Sequence, residues 1–249
     1  MKLVTNLTDN KQNTGKMSLK IFADLMSQPA RAVAIFCRAA EIPHELVKIR
    51  ITAGDNKTPD YTKMNPFQKV PVLLDGDFAL TESVAMMRYL AREKSVADHW
   101  YPGDSRAQAR VDEYLEWQHL NTRAHCATYF IHRWLLPMQT KKLDEKKVAA
   151  AEKTMNSCLN DFERVWLGGG EKTYVAGDKI SVADIMAVCE LDQPSMAGYD
   201  VSKDRKVLAD YLQRVRQDLN PHYNEVSDIV FKMRDKFGGN IPGVTIPAK

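Results

Sequence analysis

The sequence predicts an α+β chain in which a small mixed unit comes first and an all-helical unit follows. Three observations carry this. Up to Glu93, short apolar, β-prone runs alternate with two segments of helical periodicity. Beyond Asp104, every periodic stretch repeats at three- and four-residue spacing. Between them, Asp98-His99-Trp100-Tyr101-Pro102-Gly103-Asp104 breaks both periods and reads as a connection between domains. The expected organisation is a flexible polar extension over 1–16, a mixed domain over 17–97, a linker over 98–104, a helical domain over 105–237 and a tail over 238–249.

In chain order, residues 1–16 are polar and lack both the apolar core of a signal peptide and the Arg-rich pattern of a transit peptide. A first strand is expected over 19–22, ending in Ala23-Asp24-Leu25-Met26-Ser27-Gln28-Pro29. There the period changes to that of a helix, with Pro29 at its start and Val33, Phe36, Cys37 and Ala40 on one face, stopping near Glu41. A second strand is expected over 45–49, then an irregular polar stretch over 52–60. Val70-Pro71-Val72-Leu73-Leu74, the turn Asp75-Gly76-Asp77 and Phe78-Ala79-Leu80 predict a hairpin. A helix over 83–93 follows, with Met86, Met87, Leu90 and Ala91 inward.

In the second half, one long helix is predicted over 106–136, stopped by Pro137. Asp144 can cap the next, whose stripe of Val148, Ala151, Met155, Leu159, Phe162 and Trp166 runs to the Gly168-Gly169-Gly170 break. Ser181 and Asp184 have the spacing of a reciprocal N-terminal cap, with Ile180 and Ile185 placed for a hydrophobic staple. Further helices are predicted over 206–219 and 225–236.

The totals narrow the function. With 249 residues and 44% hydrophobic residues, the chain can bury a sizeable core. Its net charge of +3 is spread along the sequence, which argues against nucleic acid or a membrane surface as partner. Cys37, Cys126, Cys158 and Cys189 lie far apart, with no CxxC pair and no spacing for a tetrahedral metal, so no metal is expected and the thiols are taken as helix packing. No run approaches the roughly 18–20 apolar residues of a membrane span, and a cytoplasmic protein is expected.

Three places are candidates for chemistry. Ser27 sits where a strand delivers a hydroxyl to the start of a helix, beside unpaired backbone N–H groups and the positive end of the helix dipole. Such a corner favours an anion and can lower a thiol from about 8.5 into the range of roughly 3.5–7.5. The competing reading is an ordinary helix cap. Second, Val70-Pro71 is an X-Pro bond at the start of a strand, where a cis form would turn the Val70 backbone toward an added peptide strand. Third, Ser83 opens a helix and suits a carboxylate, while the Glu82 acid can accept from an ammonium group; again the alternative is a plain cap.

Taken together, Leu25-Met26-Ser27-Gln28-Pro29-Ala30-Arg31-Ala32-Val33, Asn65-Pro66-Phe67-Gln68-Lys69-Val70-Pro71-Val72-Leu73, Asp75 to Ser83 and Arg110 to His119 resemble the theta class of cytosolic glutathione transferases. The resemblance spans 18 to about 235. It implies a thioredoxin-like N-terminal domain, an all-α helical C-terminal domain, a homodimer, and glutathione as co-substrate. Residue by residue, it implies that Ser27 is the catalytic serine and that Gln28 and Lys69 lie near the peptide. It also implies that Val70 pairs with the cysteinyl backbone, that Glu82 and Ser83 hold the γ-glutamyl end, and that Arg123 stands near the sulfur or the electrophile. Where the class commonly has a histidine for the glycine carboxylate, this chain has Gly54-Asp55-Asn56-Lys57, so Asn56 is the expected donor, with Lys57 as an alternative charge. The tail also differs from the covering helix of some theta enzymes.

The resulting expectation is a transferase that activates glutathione as a thiolate through Ser27 and conjugates it to alkyl or aryl halides or epoxides, or reduces organic hydroperoxides. The alternative is a non-catalytic binding or scaffold protein of the same fold. A glutaredoxin-like enzyme would need a cysteine at the strand-helix corner, where Met26-Ser27-Gln28 has none.

Overall fold

The computed structural model describes residues 19–244, so the expected extension at 1–16 and the end of the expected tail lie outside the described residues. The first unit comprises β1 (Lys20–Ala23), α1 (Gln28–Ala39), β2 (Glu45–Lys48), α2 (Pro59–Met64), β3 (Val72–Asp75), β4 (Phe78–Leu80) and α3 (Ser83–Glu93). The sheet runs β2-β1-β3-β4. β1 and β2 are parallel, as a crossover through α1 requires, while β3 and β4 join antiparallel. Asp75 pairs with Phe78 across a two-residue turn in which Gly76 takes φ 69, a conformation glycine adopts without steric cost. Helix α2, which begins at the end of the expected irregular stretch and continues beyond it, was not expected. Thr58 caps it by accepting from the Tyr61 N–H at 3.3 Å, and Pro59 opens it.

The second unit is helical throughout: α4 (Ser105–Trp117), α5 (Thr122–Phe130), α6 (Leu136–Thr140), α7 (Glu145–Asp161), α8 (Val182–Asp192), α9 (Lys206–Leu219) and α10 (His222–Phe237). The single long helix expected over 106–136 is instead broken. A 3₁₀ turn at Gln118–Leu120 leads to Asn121, whose φ −118 and ψ −100 leave the helical region, and the Asn121 side chain donates to the freed Trp117 carbonyl at 2.7 Å. Pro137 does not stop the chain's helical path either. A π-turn at Ile131–Leu135 widens the ladder just before it, and Pro137 then sits in the first turn of α6, where no N–H is needed.

Other expectations are met residue by residue. Asp144 caps α7 through the Lys147 N–H, and Ser181 and Asp184 form the reciprocal cap of α8. All four cysteines are buried in α1, α5, α7 and α8. Helix α1 carries more than an inner stripe: residues 29–37 are buried all round, because the helix lies between its own sheet and α8 and α10 of the second unit. The units are joined by Trp100, packed edge-on to Phe36 at 5.9 Å, and by Arg88, paired with Asp112 at 2.7 Å and Glu116 at 2.9 Å. Among the described residues no helix is long and apolar enough to cross a membrane.

Candidate active site

Ser27 is the N-cap of α1, in extended backbone, yet its hydroxyl makes no capping hydrogen bond. The competing reading of Ser27 as an ordinary cap therefore lacks its defining contact. The corner around it is fixed by other groups. Asp24 accepts from the Met26 N–H at 3.0 Å and the Ile51 N–H at 3.1 Å, and the Ser27 N–H donates to the Asp24 carbonyl at 2.9 Å. From inside, the fully buried Arg31 donates to the Leu25 and Met26 carbonyls at 2.9 and 3.1 Å. Its other arm reaches α8, donating to the Cys189 carbonyl at 3.1 Å and to Gln193 Oε1 at 2.8 Å. A half-buried hydroxyl with its hydrogen uncommitted thus stands at the positive end of a twelve-residue helix, on a loop pinned by Asp24 and Arg31.

Beside this corner lies a cleft of about 300 Å³, lined by Pro29, Lys69, Val70, Glu82, Ser83 and Arg123 together with Asn65, Phe67, Pro71 and Thr81. The structure thus brings five expected residues to one wall: Lys69, Val70, Glu82, Ser83 and Arg123. Ser27 and Gln28 immediately precede Pro29 at its edge. The Val70–Pro71 bond is cis, and neither backbone polar group of Val70 is taken by another described residue. Glu82 holds φ 66, a left-handed value that costs a non-glycine residue about 1–3 kcal/mol. It is the N-cap of α3, and its exposed side chain and the buried Ser83 flank that helix N-terminus.

Asn56 is placed differently from its cleft neighbours. It is buried, and its amide donates to the Gln68 carbonyl at 2.6 Å, so it holds the loop that presents Lys69 and Val70. Tyr61 and Asn65 hold the same loop through the Lys69 carbonyl, at 2.7 and 2.8 Å. Asp55 is clasped by the Arg50 guanidinium at 2.9 Å, which leaves it little force against the exposed Lys57.

Arg123, second residue of α5, stands at the cleft because the break at Asn121 redirects the chain there. Its Nη1 meets Glu190 Oε1 of α8 at 3.2 Å. Burial pushes the Glu190 carboxyl up to about 7, against the lowering effect of Arg123 first and Arg31 second. His119 is pushed below its ordinary value by burial and then by Arg123. Burial raises all four cysteine thiols, which favours their protonated, unreactive form.

Sequence reasoning gave no role to Arg31 or Glu190, although an acid in the apolar run Met186-Ala187-Val188-Cys189-Glu190-Leu191 was a usable signal. A wider depression of about 490 Å³ opens beside the start of α9, where Arg205 pairs with Glu163 and Lys206 with Asp210, and it contains none of the residues singled out in the sequence.

The N-terminal domain of glutathione S-transferases matches residues 17–92, and the C-terminal domain of the same family matches residues 123–218. Bovine (Bos taurus) glutathione S-transferase theta-1 is 39% identical over 221 residues, covering 88% of this chain and 91% of the relative. Arabidopsis thaliana glutathione S-transferase T1 is 35% identical over 229 residues, covering 89% and 92%. Among solved structures, human glutathione S-transferase T1-1 in its apo form superimposes with a TM-score of 0.83 at 38% identity, covering 88% of this chain and 91% of that one. Human glutathione transferase theta-2 in complex with glutathione gives 0.83 at 35%, covering 88% and 90%. A mixed four-stranded sheet with its helices, followed by a helical domain and carrying this cleft, is the architecture of a glutathione-binding transferase. The chain belongs to the glutathione S-transferase family, in its theta class.

Proposed function

We propose that this transferase activates glutathione through Ser27 and transfers its sulfur to small electrophiles. The supporting observation is the Ser27 hydroxyl, which stands at the N-terminus of α1 without capping it. Donated to the cysteinyl sulfur, that hydroxyl forms a charge-assisted bond to the thiolate, and the helix end favours the same charge. The thiol proton leaves to solvent. The sulfur lone pair then forms a C–S bond while a halide departs, or while an epoxide C–O bond opens and its oxygen takes a proton. With an organic hydroperoxide, two glutathiones become the disulfide as the hydroperoxide is reduced to an alcohol and water.

In this reading Val70 pairs with the cysteinyl backbone through its free N–H and C=O, as an added strand does. Glu82 accepts from the γ-glutamyl ammonium, and the Ser83 N–H and hydroxyl take its carboxylate at the start of α3. Lys69 and Gln28 flank the peptide. Asn56 serves the glycine end by fixing the loop that carries Lys69, and Arg123 faces the sulfur and electrophile. The enzyme works as a cytoplasmic homodimer, on the pattern of its class.

Replacing Ser27 with Ala and assaying benzyl chloride, an epoxide and a hydroperoxide with glutathione tests this. Loss of about 10²–10³-fold in kcat/KM is expected, the scale of removing one donor to a reacting anion. Activity equal to wild type at every pH would overturn the serine mechanism.

A further inference from the structure

Helix α8 is buried along its whole length and carries three acids, Asp184, Glu190 and Asp192. Two of them are fully engaged. Asp184 accepts from the Val175 and Ser181 N–H groups and from the Ser181 and Tyr211 hydroxyls, and Asp192 accepts from Arg216 and Tyr223. Glu190 is the exception. It has no exposed surface, one oxygen meets Arg123 through a single contact at 3.2 Å, and the other oxygen, Oε2, is buried with no hydrogen-bond partner. A buried carboxyl so incompletely satisfied contributes little stability that an apolar residue of similar size would not, which leaves room for another role.

The asymmetry of the pair says what. Glu190 is wholly enclosed, whereas the Arg123 side chain is 34% exposed and lines the cleft. A guanidinium has five N–H donors in a rigid fork. Tethered by one of them to an immobile acid on α8, it keeps the rest free. Glu190 also sits one residue after Cys189, whose carbonyl receives Arg31, the same arginine that clamps the loop before Ser27. The groups that act on Glu190 are Arg123, Arg31 and the Gln28 side chain. Arg123 lines the cleft, and Gln28 stands at its edge next to Pro29.

We propose that Glu190 is a positioning residue for the transferase reaction: its buried carboxyl holds the Arg123 guanidinium by one arm at the cleft, with the remaining N–H groups facing the space where sulfur and electrophile meet. The proposal rests on the reading of the cleft given above. It makes the helical domain, through one residue that touches no substrate, the part that aims the cation acting on the reaction.

A double-mutant cycle on the full chain tests it, with Glu190→Gln, Arg123→Ala and the pair, assayed with glutathione and benzyl chloride. Each single variant is expected to lose about tenfold in kcat while KM for glutathione stays within about twofold, and the double variant to fall no further than Arg123→Ala alone. Losses that multiply in the double variant, or a Glu190→Gln chain with wild-type kcat, would overturn it, since a purely structural acid acts independently of Arg123. Should Glu190→Gln not fold, Glu190→Asp replaces it in the same cycle. Its retracted carboxyl is expected to give the same non-multiplying loss, and unchanged kcat there overturns the proposal equally. Ser27→Ala is measured in parallel. If that variant is fully active the thiolate mechanism fails while the cycle can still show coupling; if it is dead and the cycle is multiplicative, only the role of Glu190 fails.

Discussion

Arg31 on α1 donates to Gln193 Oε1, in the turn after α8, at 2.8 Å, and the Gln193 amide in turn reaches the Met26 carbonyl at 3.3 Å. The loop that ends in Ser27 is therefore tied to the helical domain by two side chains acting together, and the geometry of the serine corner depends on both domains.

Replacing Arg31 with Met should remove the donor for four carbonyl-type oxygens at once. A loss of about 2–4 kcal/mol is expected, because buried oxygens that each cost about 1–3 kcal/mol when unpaired lose their donor, offset in part by no longer burying the guanidinium. Gln193→Leu should cost less, about 1–2 kcal/mol. Urea unfolding of both variants checks the order; an Arg31→Met chain as stable as wild type would show that the clamp is not needed.

Glu82 pits stability against binding. Glu82→Gly relieves a left-handed φ of 66 and is expected to raise stability by about 1 kcal/mol, while raising KM for glutathione at least tenfold. Glu82→Gln keeps the strain and should raise KM without a gain in stability. Thermal melts alongside KM separate the two effects, and a Gly variant that is less stable than wild type would refute the strain argument.

The loop-holding role of Asn56 has its own signature. Asn56→Ala should raise KM for glutathione and lower stability together, by about 1–2 kcal/mol, because the Gln68 carbonyl loses its donor. A raised KM with an unchanged melting temperature would point instead to a direct contact with the tripeptide.

Two buried carboxyls set the pH dependence of stability. Burial holds Glu190 at about 7 and Asp184 at about 6, both above the ordinary carboxylate range. The folded chain then keeps these protons where the unfolded chain has lost them, so stability is highest on the acid side and falls as pH rises from about 4 to 7. Relative to Glu190→Gln, wild type should lose on the order of 1–3 kcal/mol between about pH 5 and pH 8. Denaturant curves at the two pH values decide it, and parallel curves would contradict the assignment.

What could be seen in the sequence divides along physical lines. The hairpin at Asp75-Gly76-Asp77, the cap at Ser181 and the helix over 206–219 depend on contacts within a few residues, and each is present in the fold. Val70, Glu82 and Ser83 stood out from their local chemistry, Lys69 and Arg123 only through resemblance, and all five share one cleft. The break at Asn121 was not foreseen, because Asn is tolerated inside a helix and only packing decides that its side chain replaces a backbone bond here. Arg31 and Glu190 were missed for a related reason. Their partners lie 158 and 162 residues away in one case and 67 in the other, and no local pattern encodes such meetings.

The four cysteines of the chain lie inside helices, shielded by packing and kept protonated by it. On the function proposed above, an exposed thiol of the chain would compete with glutathione for each electrophile. Submerged cysteines leave that reaction to a small molecule that departs with the product, so the enzyme's own thiols are spared from one turnover to the next.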